Sequence, residues 1–311
     1  MFQFSVITPT YNRAALLPRV YDCLCRQEDA DFEWIIVDDG STDNTKEVVS
    51  GFNKKFSIKY IYQENAGQVS AWNTGVKNAD SLIIIKNDDD DYLLPNILKL
   101  SWNYYDSKLN RFEQNCVSLC GLCQYENGNI MGDRFPKDNY ASDHIRFIRN
   151  NNIKGDKCYF YITEIFKQYP FPILKNEKNV APGIVDARIA LKYNTFYVNE
   201  IFQVKEFLEG GLSTINYWIK YPLGAELYHN EASIPPASLK LQIKHSGEYI
   251  YYAKINRKKG ILKEANNKKI FFLGIFAFNM LVLKYFLKKF SILKKIKNKI
   301  NKKNWKVIKS E

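Results

Sequence analysis

The spacing of apolar residues in the first hundred positions predicts strands and helices in alternation. Four short apolar runs have the length and composition of buried strands: Phe4–Thr8, Trp34–Val37, Ile58–Tyr62 and Leu82–Ile85. Apolar residues at helical spacing follow the first run from Leu16 and the third run over Gln68–Lys77. Strands that alternate with helices in this way predict an α/β fold, with a parallel sheet covered by helices on both faces.

The pattern becomes less regular after about residue 100, where loops containing glycine and proline interrupt it. Residues 1–260 contain no internal repeat and no clean linker, which predicts one domain. After Gly260 the composition changes: Ile270–Leu283 is a mostly apolar run of 14 residues, and Lys284–Lys309 is rich in lysine with apolar residues at helical spacing. The sequence therefore predicts a domain followed by a helical tail, residues 261–311.

The net charge of +12 is concentrated in the tail. From Lys268 to Glu311 there are 13 lysines and one acidic residue, so the rest of the chain is neutral overall. A nucleic-acid-binding protein is expected to carry its basic surface on the folded domain, so this distribution argues against nucleic acid as a partner. It favours a tail that binds an anionic surface.

Four consecutive aspartates, Asp88 to Asp91, come directly after the fourth predicted strand. Adjacent carboxylates repel one another, and a hard divalent cation offsets that repulsion. Mg²⁺ or Mn²⁺ binds one or two carboxylates and keeps its other positions for phosphate oxygens. Bound there, the cation would offset negative charge on a departing diphosphate. A solvated acidic loop or a helix N-terminus is the alternative that these residues alone leave open.

Two further segments narrow this choice. Residues 5–13 read SVITPTYNR, and residues 34–45 read WIIVDDGSTDNT. With the aspartates and the YLLP segment that follows them, they resemble the family 2 glycosyltransferases, inverting enzymes of the GT-A fold. Order and spacing match along residues 4–95, and weaker similarity continues to about residue 230. The resemblance implies a Rossmann-like mixed or parallel sheet between helices, with a nucleotide-sugar-binding half (1–105) and an acceptor-binding half (106–260).

The resemblance also implies roles for residues near the ends of the predicted strands. Pro9 and Tyr11, on the loop after the first strand, would contact the nucleoside. Asp39 would accept a hydrogen bond from the base, commonly uracil. Asn65 and Gly67 begin the helix that flanks the diphosphate.

The aspartates occupy the position of the family's DxD motif. Asp88 would lie near the ribose, Asp89 would belong to the nucleotide-sugar site, and Asp90 would bind Mn²⁺ or Mg²⁺. The role of Asp91 stays open.

The chain departs from the family at two positions. Trp72 stands where many members carry an arginine, so no phosphate-binding arginine is expected in that helix. Pro182, counted back from Arg188, stands where related chains place the carboxylate that serves as general base. An inverting transfer needs a base within hydrogen-bond reach of the acceptor hydroxyl. The candidates are Asp186 and, as second choice, Glu177.

Cysteine and histidine spacing argues against an iron–sulfur cluster and against a His/Cys zinc site. Cys116, Cys120 and Cys123 match an iron–sulfur ligand spacing, but they fall in a predicted buried strand, whose side chains face opposite sides in turn. The three histidines, at 144, 229 and 245, have no ligand spacing and no nearby cysteine, which argues against a His/Cys zinc site. The N-terminal apolar stretch is too short for a signal peptide, so the cysteines are expected to stay reduced in the cytosol.

The tail predicts contact with a membrane. An apolar run of 14 residues is shorter than the about 20 residues that a spanning helix needs. Followed by a lysine-rich amphipathic helix, it suits the membrane interface. The expected location is the cytoplasmic face of the cell membrane, with anionic lipid as a partner. A helix packed on the domain is the alternative.

The function expected from the resemblance is transfer of a sugar from a nucleoside-diphosphate sugar, commonly UDP-linked, to a hydroxyl of an oligosaccharide or lipid-linked saccharide. Two alternatives stay open at this point. One is a nucleotide-sugar-binding protein that has lost its base, favoured by Pro182. The other is a sugar-nucleotide nucleotidyltransferase, which also uses paired aspartates and a metal. That enzyme is expected to carry a glycine-rich basic loop after the first strand, and residues 8–13 contain no glycine.

Overall fold

The computed structural model describes residues 1–53, 55–109, 115–206, 217–280 and 282–283. The chain divides into two units, Met1–Gly224 and Ala225–Glu311. The first unit contains the whole of the sheet, so the two predicted halves of the domain, before and after residue 105, share it.

Nine strands form this sheet in the described part of the chain. They are β1 (Phe2–Thr10), β2 (Phe32–Asp38), β3 (Ser57–Tyr62), β4 (Ser81–Lys86), β5 (Asp91–Leu93), β6 (Cys116–Gln124), β7 (Tyr140–Ser142), β8 (Lys157–Ile162) and β9 (Asn194–Lys205). Across the sheet the order is β3-β2-β1-β4-β8-β6-β9-β5, and β7 pairs with β9. β1 to β4 are mutually parallel, whereas β8 is antiparallel to both its neighbours.

Helices follow most of these strands in the first unit. They are α1 (Leu17–Leu24), α2 (Thr45–Ser50), α3 (Gln68–Lys77), α4 (Ile97–Tyr104), α5 (Thr163–Phe166), α6 (Gly183–Ala190) and α7 (Tyr217–Lys220). A further helix, α8 (Pro222–Ala232), begins at the end of this unit. The alternation of β1 to β4 with α1 to α3 confirms the α/β prediction, and α3 has the predicted bounds.

The central strands β1 and β2 are mostly apolar because both of their faces are covered. All seven residues of β2 are buried, and β1 is buried from Phe4 to Thr10. α3 packs closely on β1 at Gly75, where a Cβ would lie 2.3 Å from Ile7 Cγ2. This close packing holds α3 against the sheet, and the start of the helix lies at the edge at which the strands end.

The three cysteines of the iron–sulfur spacing lie on β6, as predicted. Cys116 and Cys123 belong to one apolar core, and Cys120 belongs to another. Burial raises the pKa of Cys123 to about 12, so its thiol stays protonated. These cysteines therefore fill the core.

The second unit is helical in its described part. It contains the rest of α8, α9 (Leu239–Ile255), α10 (Ile261–Glu264) and a helical segment at residues 268–280. Its core joins Tyr249, Ile250 and Ala253 of α9 to Ala265 and Phe271. The predicted boundary between domain and tail, 260/261, therefore falls inside this unit, because residues beyond it complete an apolar core.

The segment 268–280 has one packed face and one exposed face. Phe271 is buried in the core of the unit, and Gly274 packs against Ser246 and Gly247 of α9. Phe272 and Phe276 are 66% and 70% exposed. No helix in the described residues is long and apolar enough to span a membrane. The predicted lysine-rich helix of residues 284–309 lies outside the described residues.

Candidate active site

A cavity of about 720 Å³ lies where β1, β4 and β9 end. These strands run in one direction, so their carboxyl ends meet at one edge of the sheet. In open α/β sheets this edge is where ligands bind. The wall of the cavity includes Asp88, Asp90, Asp91, Asp186 and Lys205.

A buried asparagine holds the aspartate loop in shape. Asn87 Nδ2 donates to the carbonyl oxygens of Asp88 and Asp91, both at 3.0 Å. Its Oδ1 accepts from Gln203 Nε2 of β9, also at 3.0 Å. The backbone N–H of Asp91 donates to the Asp88 carbonyl at 3.1 Å, which closes a turn. Asn87 thus fixes how the aspartates leave β4.

The turn sends the aspartate side chains to different partners. Asp88, Asp90 and Asp91 bring carboxylate oxygens within 4.8 Å of one another. Asp89 accepts from Thr10 Oγ1 and Arg13 Nη1, each at 2.8 Å. Asp89, predicted in the nucleotide-sugar site, therefore ties this loop to the end of β1.

Burial disfavours the charged forms of the carboxylates of Asp88, Asp89 and Asp91. It raises the pKa of Asp91 to about 8, although Lys205 opposes the shift. It raises the pKa of Asp89 to about 6, against the pull of Arg13, and it raises the pKa of Asp88 as well. A cation bound here would favour the charged forms of the carboxylates.

The donor set fits the predicted divalent cation. The oxygens of three carboxylates lie close enough together to bind one ion. Oxygen is the ligand atom that Mg²⁺ and Mn²⁺ prefer. Asp88 and Asp90, which are less buried than Asp91, would hold the ion. Asp91 is also the ion-pair partner of Lys205. Its role, left open by the sequence, is at least to anchor that lysine beside the site.

The cavity also contains cationic side chains for which the sequence motifs predict no role. Arg13 contacts Asp90 at 3.1 Å as well as Asp89. Lys86, the last residue of β4, lies over the rings of Tyr161 and Phe171. With Lys205 at the end of β9, these residues supply positive charge in place of the arginine missing from α3. The sequence feature that could have indicated these residues is their position at or just after the end of a strand.

The predicted nucleoside contacts lie outside the wall of this cavity. Tyr11 follows β1 and is 47% exposed. Pro9 lies inside β1, opposite Val37, which corrects its predicted place on the loop after the strand. A proline fits there because the pairing of β1 with β4 ends at Ile7, so its missing N–H falls beyond the last pair on that side. The contact of Pro9 with the nucleoside stays a prediction.

Asp39 is buried and organises the loop that begins α3. Its Oδ1 accepts from Gln63 Nε2 at 2.7 Å and from the N–H of Ala66 at 2.9 Å, and its Oδ2 accepts from the N–H of Gly67 at 2.8 Å. Asn65 Nδ2 donates to the Asp39 carbonyl at 2.8 Å. A carboxylate offers about four acceptor positions, so one is left to accept a hydrogen bond from a nucleobase.

Gly67 is fixed by backbone conformation and by close contact. Its φ is +97°, and a Cβ would lie 2.2 Å from the carbonyl oxygen of Lys178. Lys178 Nζ in turn donates to the Asn65 carbonyl at 3.0 Å. The loop at 65–67 thus packs against Lys178, a residue distant from it in sequence.

Asp186 lies in the cavity, in the first turn of α6. One carboxylate oxygen, Oδ1, accepts a hydrogen bond from the Tyr161 hydroxyl. His144 lines the same wall, and its Nδ1 lies 3.0 Å from the hydroxyl of Tyr159. Burial lowers the pKa of His144 to about 4, so this ring is neutral at physiological pH. Asp186, the first-choice candidate for the base, thus lies in the same cavity as the aspartates.

Glu177 does not share this placement. Its Oε1 accepts from the N–H of Leu223 at 2.7 Å and its Oε2 from the N–H of Gly224 at 2.8 Å. Both carboxylate oxygens therefore cap the start of α8, where backbone N–H groups lack partners within the helix. Glu177 is also absent from the wall of the cavity, so its predicted role as second-choice base is corrected to that of a helix cap.

The chain matches the model of glycosyl transferase family 2 over residues 5–162, just over half its length, and it belongs to that family. It is 46% identical over 84 residues to the validoxylamine A glucosyltransferase of Streptomyces hygroscopicus subsp. jinggangensis (strain 5008). That alignment covers 26% of this chain and 20% of the relative, so the chain corresponds to about a fifth of the relative's length.

Solved structures of low sequence identity share the fold. S. aureus TarS (residues 1–349), solved in complex with UDP-GlcNAc, superposes with a TM-score of 0.63 at 19% identity, covering 88% of this chain and 79% of that one. The mannosyltransferase PcManGT from Pyrobaculum calidifontis, in complex with GDP-Man and Mn²⁺, has a TM-score of 0.50 at 15% identity, covering 94% and 80%. The predicted GT-A fold is confirmed.

Proposed function

We propose that this protein transfers a sugar from a nucleoside-diphosphate sugar to an acceptor hydroxyl, with inversion at the anomeric carbon. The observation that carries the proposal is the juxtaposition of acidic and basic groups in one cavity. Asp88 and Asp90 can hold a cation, and Arg13, Lys86 and Lys205 surround them. A diphosphate needs both, since its oxygens bind a metal and its charge needs cationic neighbours.

The relatives support the choice of donor. TarS was solved with UDP-GlcNAc and PcManGT with GDP-Man and Mn²⁺. We extend to this chain the class of ligand, a nucleotide sugar, together with a divalent cation, Mn²⁺ or Mg²⁺. A UDP-linked sugar is the donor we propose, with the base beside Asp39 and Tyr11. The acceptor we propose is an oligosaccharide or a lipid-linked saccharide.

Each group in the cavity has a task in this reaction. The cation, when bound, offsets charge on the departing diphosphate. Arg13 and Lys205 keep the aspartate loop in place and add positive charge beside it. Asp186 takes the proton of the acceptor hydroxyl, because it is a carboxylate in the same cavity as the aspartates. Tyr161 holds the Asp186 side chain through its hydroxyl.

Hydrolysis of a panel of UDP-, GDP- and dTDP-sugars in the presence of Mn²⁺ tests this function. We expect one class of donor to release its nucleotide, and we expect Asp90→Ala to remove that activity. Asp80→Ala is the matched control, because Asp80 is an exposed aspartate just before the other end of β4. Donor binding without turnover would favour the alternative of a binding protein without a base. Full activity of Asp90→Ala in EDTA would refute the metal site.

We propose further that the protein lies at the inner face of the cell membrane. The exposed apolar side chains of residues 268–280 support this, as does the lysine-rich sequence that follows. Phe276→Glu should reduce co-sedimentation of the full chain with anionic vesicles by about 10-fold or more, since it removes an inserted side chain worth about 1.5–3 kcal/mol. Leu239→Glu, also at an exposed apolar residue, is the control. Equal binding of both variants and wild type would contradict the proposal.

A further inference from the structure

Two histidines that are 16 residues apart in sequence meet in the second unit. His229 lies on α8, and His245 lies on α9. Their Nδ1 atoms are 2.9 Å apart. Glu248, one helical turn after His245, brings Oε2 to 3.0 Å from Nδ1 of His229 and 3.3 Å from Nδ1 of His245. Three ligand-type atoms thus form a triangle with sides of 2.9 to 3.3 Å.

Protons alone do not satisfy this triangle. If both rings carry a proton on Nδ1, two N–H groups lie at nitrogen atoms only 2.9 Å apart. If only one ring does, the lone pair of the other Nδ1 lies about 3 Å from a carboxylate oxygen. Glu248 Oε2 is buried and, among the described residues, accepts no hydrogen bond of good geometry, although both rings are near it. A buried carboxylate oxygen in that state is costly.

A metal ion can contact all three atoms at once. Zinc binds imidazole nitrogen at about 2.0–2.1 Å and carboxylate oxygen at about 2.0–2.2 Å, and tetrahedral ligands are then separated by roughly 3.3 Å. A point roughly 1 Å from the plane of this triangle lies at about these distances from all three corners. Two histidines and one glutamate are a donor set that zinc uses, and the fourth position is taken by water.

The surrounding side chains hold the three ligands in place. Tyr252 stacks on the His229 ring, with centroids 5.5 Å apart and planes 4° from parallel. Tyr228 meets the His229 and His245 rings edge-on. Lys244 Nζ lies 4.0 Å from Glu248 Oε1, the carboxylate oxygen that does not face the histidines. Such supporting contacts orient ligands and tune affinity.

From this geometry we propose that His229, His245 and Glu248 form a zinc site that ties α8 to α9. It shares no residue with the aspartate cluster, which offers only oxygen ligands and belongs to the first unit. His245 and Glu248 share one face of α9 at an i, i+3 spacing, and His229 supplies the ligand from the other helix. Zinc bound here stabilises the helical unit by binding the folded state preferentially.

Calorimetric titration with zinc chloride tests the site in the full-length Asp90→Ala chain, in which the aspartate cluster has lost a ligand. We expect one zinc ion per chain and a higher Tm with zinc. His245→Gln and Glu248→Gln, each added to Asp90→Ala, should weaken zinc binding by more than about 100-fold, beyond the usual effect of a supporting residue. His144→Gln is the matched control and should bind zinc normally.

The outcomes separate a zinc site from a hydrogen-bonded cluster. Failure of the Asp90→Ala chain to bind zinc in the micromolar range would overturn the proposal, as would full zinc affinity in both ligand variants. If those variants do not fold, X-ray absorption spectroscopy of the zinc-loaded Asp90→Ala chain identifies the ligand atoms of the zinc ion directly. Two imidazole nitrogens with oxygen in the first shell support the site. Sulfur ligands or oxygen alone overturn it.

Discussion

Replacement of Asp39 by asparagine tests how the loop at 65–67 is held. The Asp39 carboxylate accepts three protein hydrogen bonds, from Gln63 Nε2 and the Ala66 N–H on Oδ1, and from the Gly67 N–H on Oδ2. Asparagine has the same shape but only one acceptor oxygen. At least one of the three bonds is therefore lost in either orientation of the amide.

The magnitude follows from the orientation that loses least. There the amide oxygen stays with Gln63 and Ala66, and the NH₂ group faces the Gly67 N–H. A buried donor left without an acceptor costs about 1–3 kcal/mol. Bonds to a charged acceptor are worth about 1 kcal/mol more than neutral ones, so the two surviving bonds lose about 2 kcal/mol together. We expect the free energy of unfolding to fall by about 3–5 kcal/mol in total.

Urea unfolding followed by circular dichroism measures this loss, and calorimetry with UDP measures nucleotide binding. Asp38→Asn is the comparison, because Asp38 is also buried and accepts from the Ser41 N–H and the Tyr60 hydroxyl, at 2.7 and 2.6 Å, but does not contact the loop. Asp39→Asn should weaken UDP binding, and Asp38→Asn should not. If Asp39→Asn lowers the free energy of unfolding by less than about 1 kcal/mol, which is the contribution of one ordinary hydrogen bond, the three bonds of Asp39 do not hold the loop as described.

Three further predictions concern the first unit. Gly67→Ala should destabilise the protein more than Gly128→Ala, because both have positive φ but only Gly67 would clash with the Lys178 carbonyl; equal melting temperatures would contradict this. Asp186→Asn should lower turnover by about 10²–10⁴ with donor affinity unchanged, and Asp156→Asn, in the same cavity, should not; a near-normal rate removes Asp186 from the base role. The pKa of His144 is 6.5 in the unfolded chain and about 4 in the folded protein. As the pH falls, the unfolded chain therefore takes up this proton before the folded protein does. Stability should fall by at most about 3 kcal/mol as pH drops from 6.5 to 4, and His144→Gln should flatten that profile of unfolding free energy; identical profiles would count against it.

Local sequence determined the first half of the sheet. Strands β1 and β2 are buried on both faces and β4 mostly so, and such strands are largely apolar runs that stand out from their polar neighbours. β3 lies at the edge of the sheet, and its alternation of exposed and half-buried residues is also a local pattern. The aspartates follow β4 directly, so their place at the ligand-binding edge could be predicted from chain order alone. The bounds of α3 were equally predictable, since its apolar spacing is local.

Side-chain partners could not be predicted in this way. Nothing in the sequence around Asp91 indicates that Lys205, 114 residues later, is its ion-pair partner. Glu177 was a reasonable candidate for the base until the fold placed it against the start of α8. Both depend on which strands and helices become neighbours, and that is set by the packing of the whole sheet.

The sequence by itself determined the family motif, the α/β order and the acidic loop, because each rests on residues close together in the chain. Only the tertiary structure decided that Asp186 enters the cavity, that residues beyond 260 complete a core, and that His229 meets His245. Those outcomes depend on long-range burial, in which apolar faces far apart in sequence come together and carry polar side chains with them.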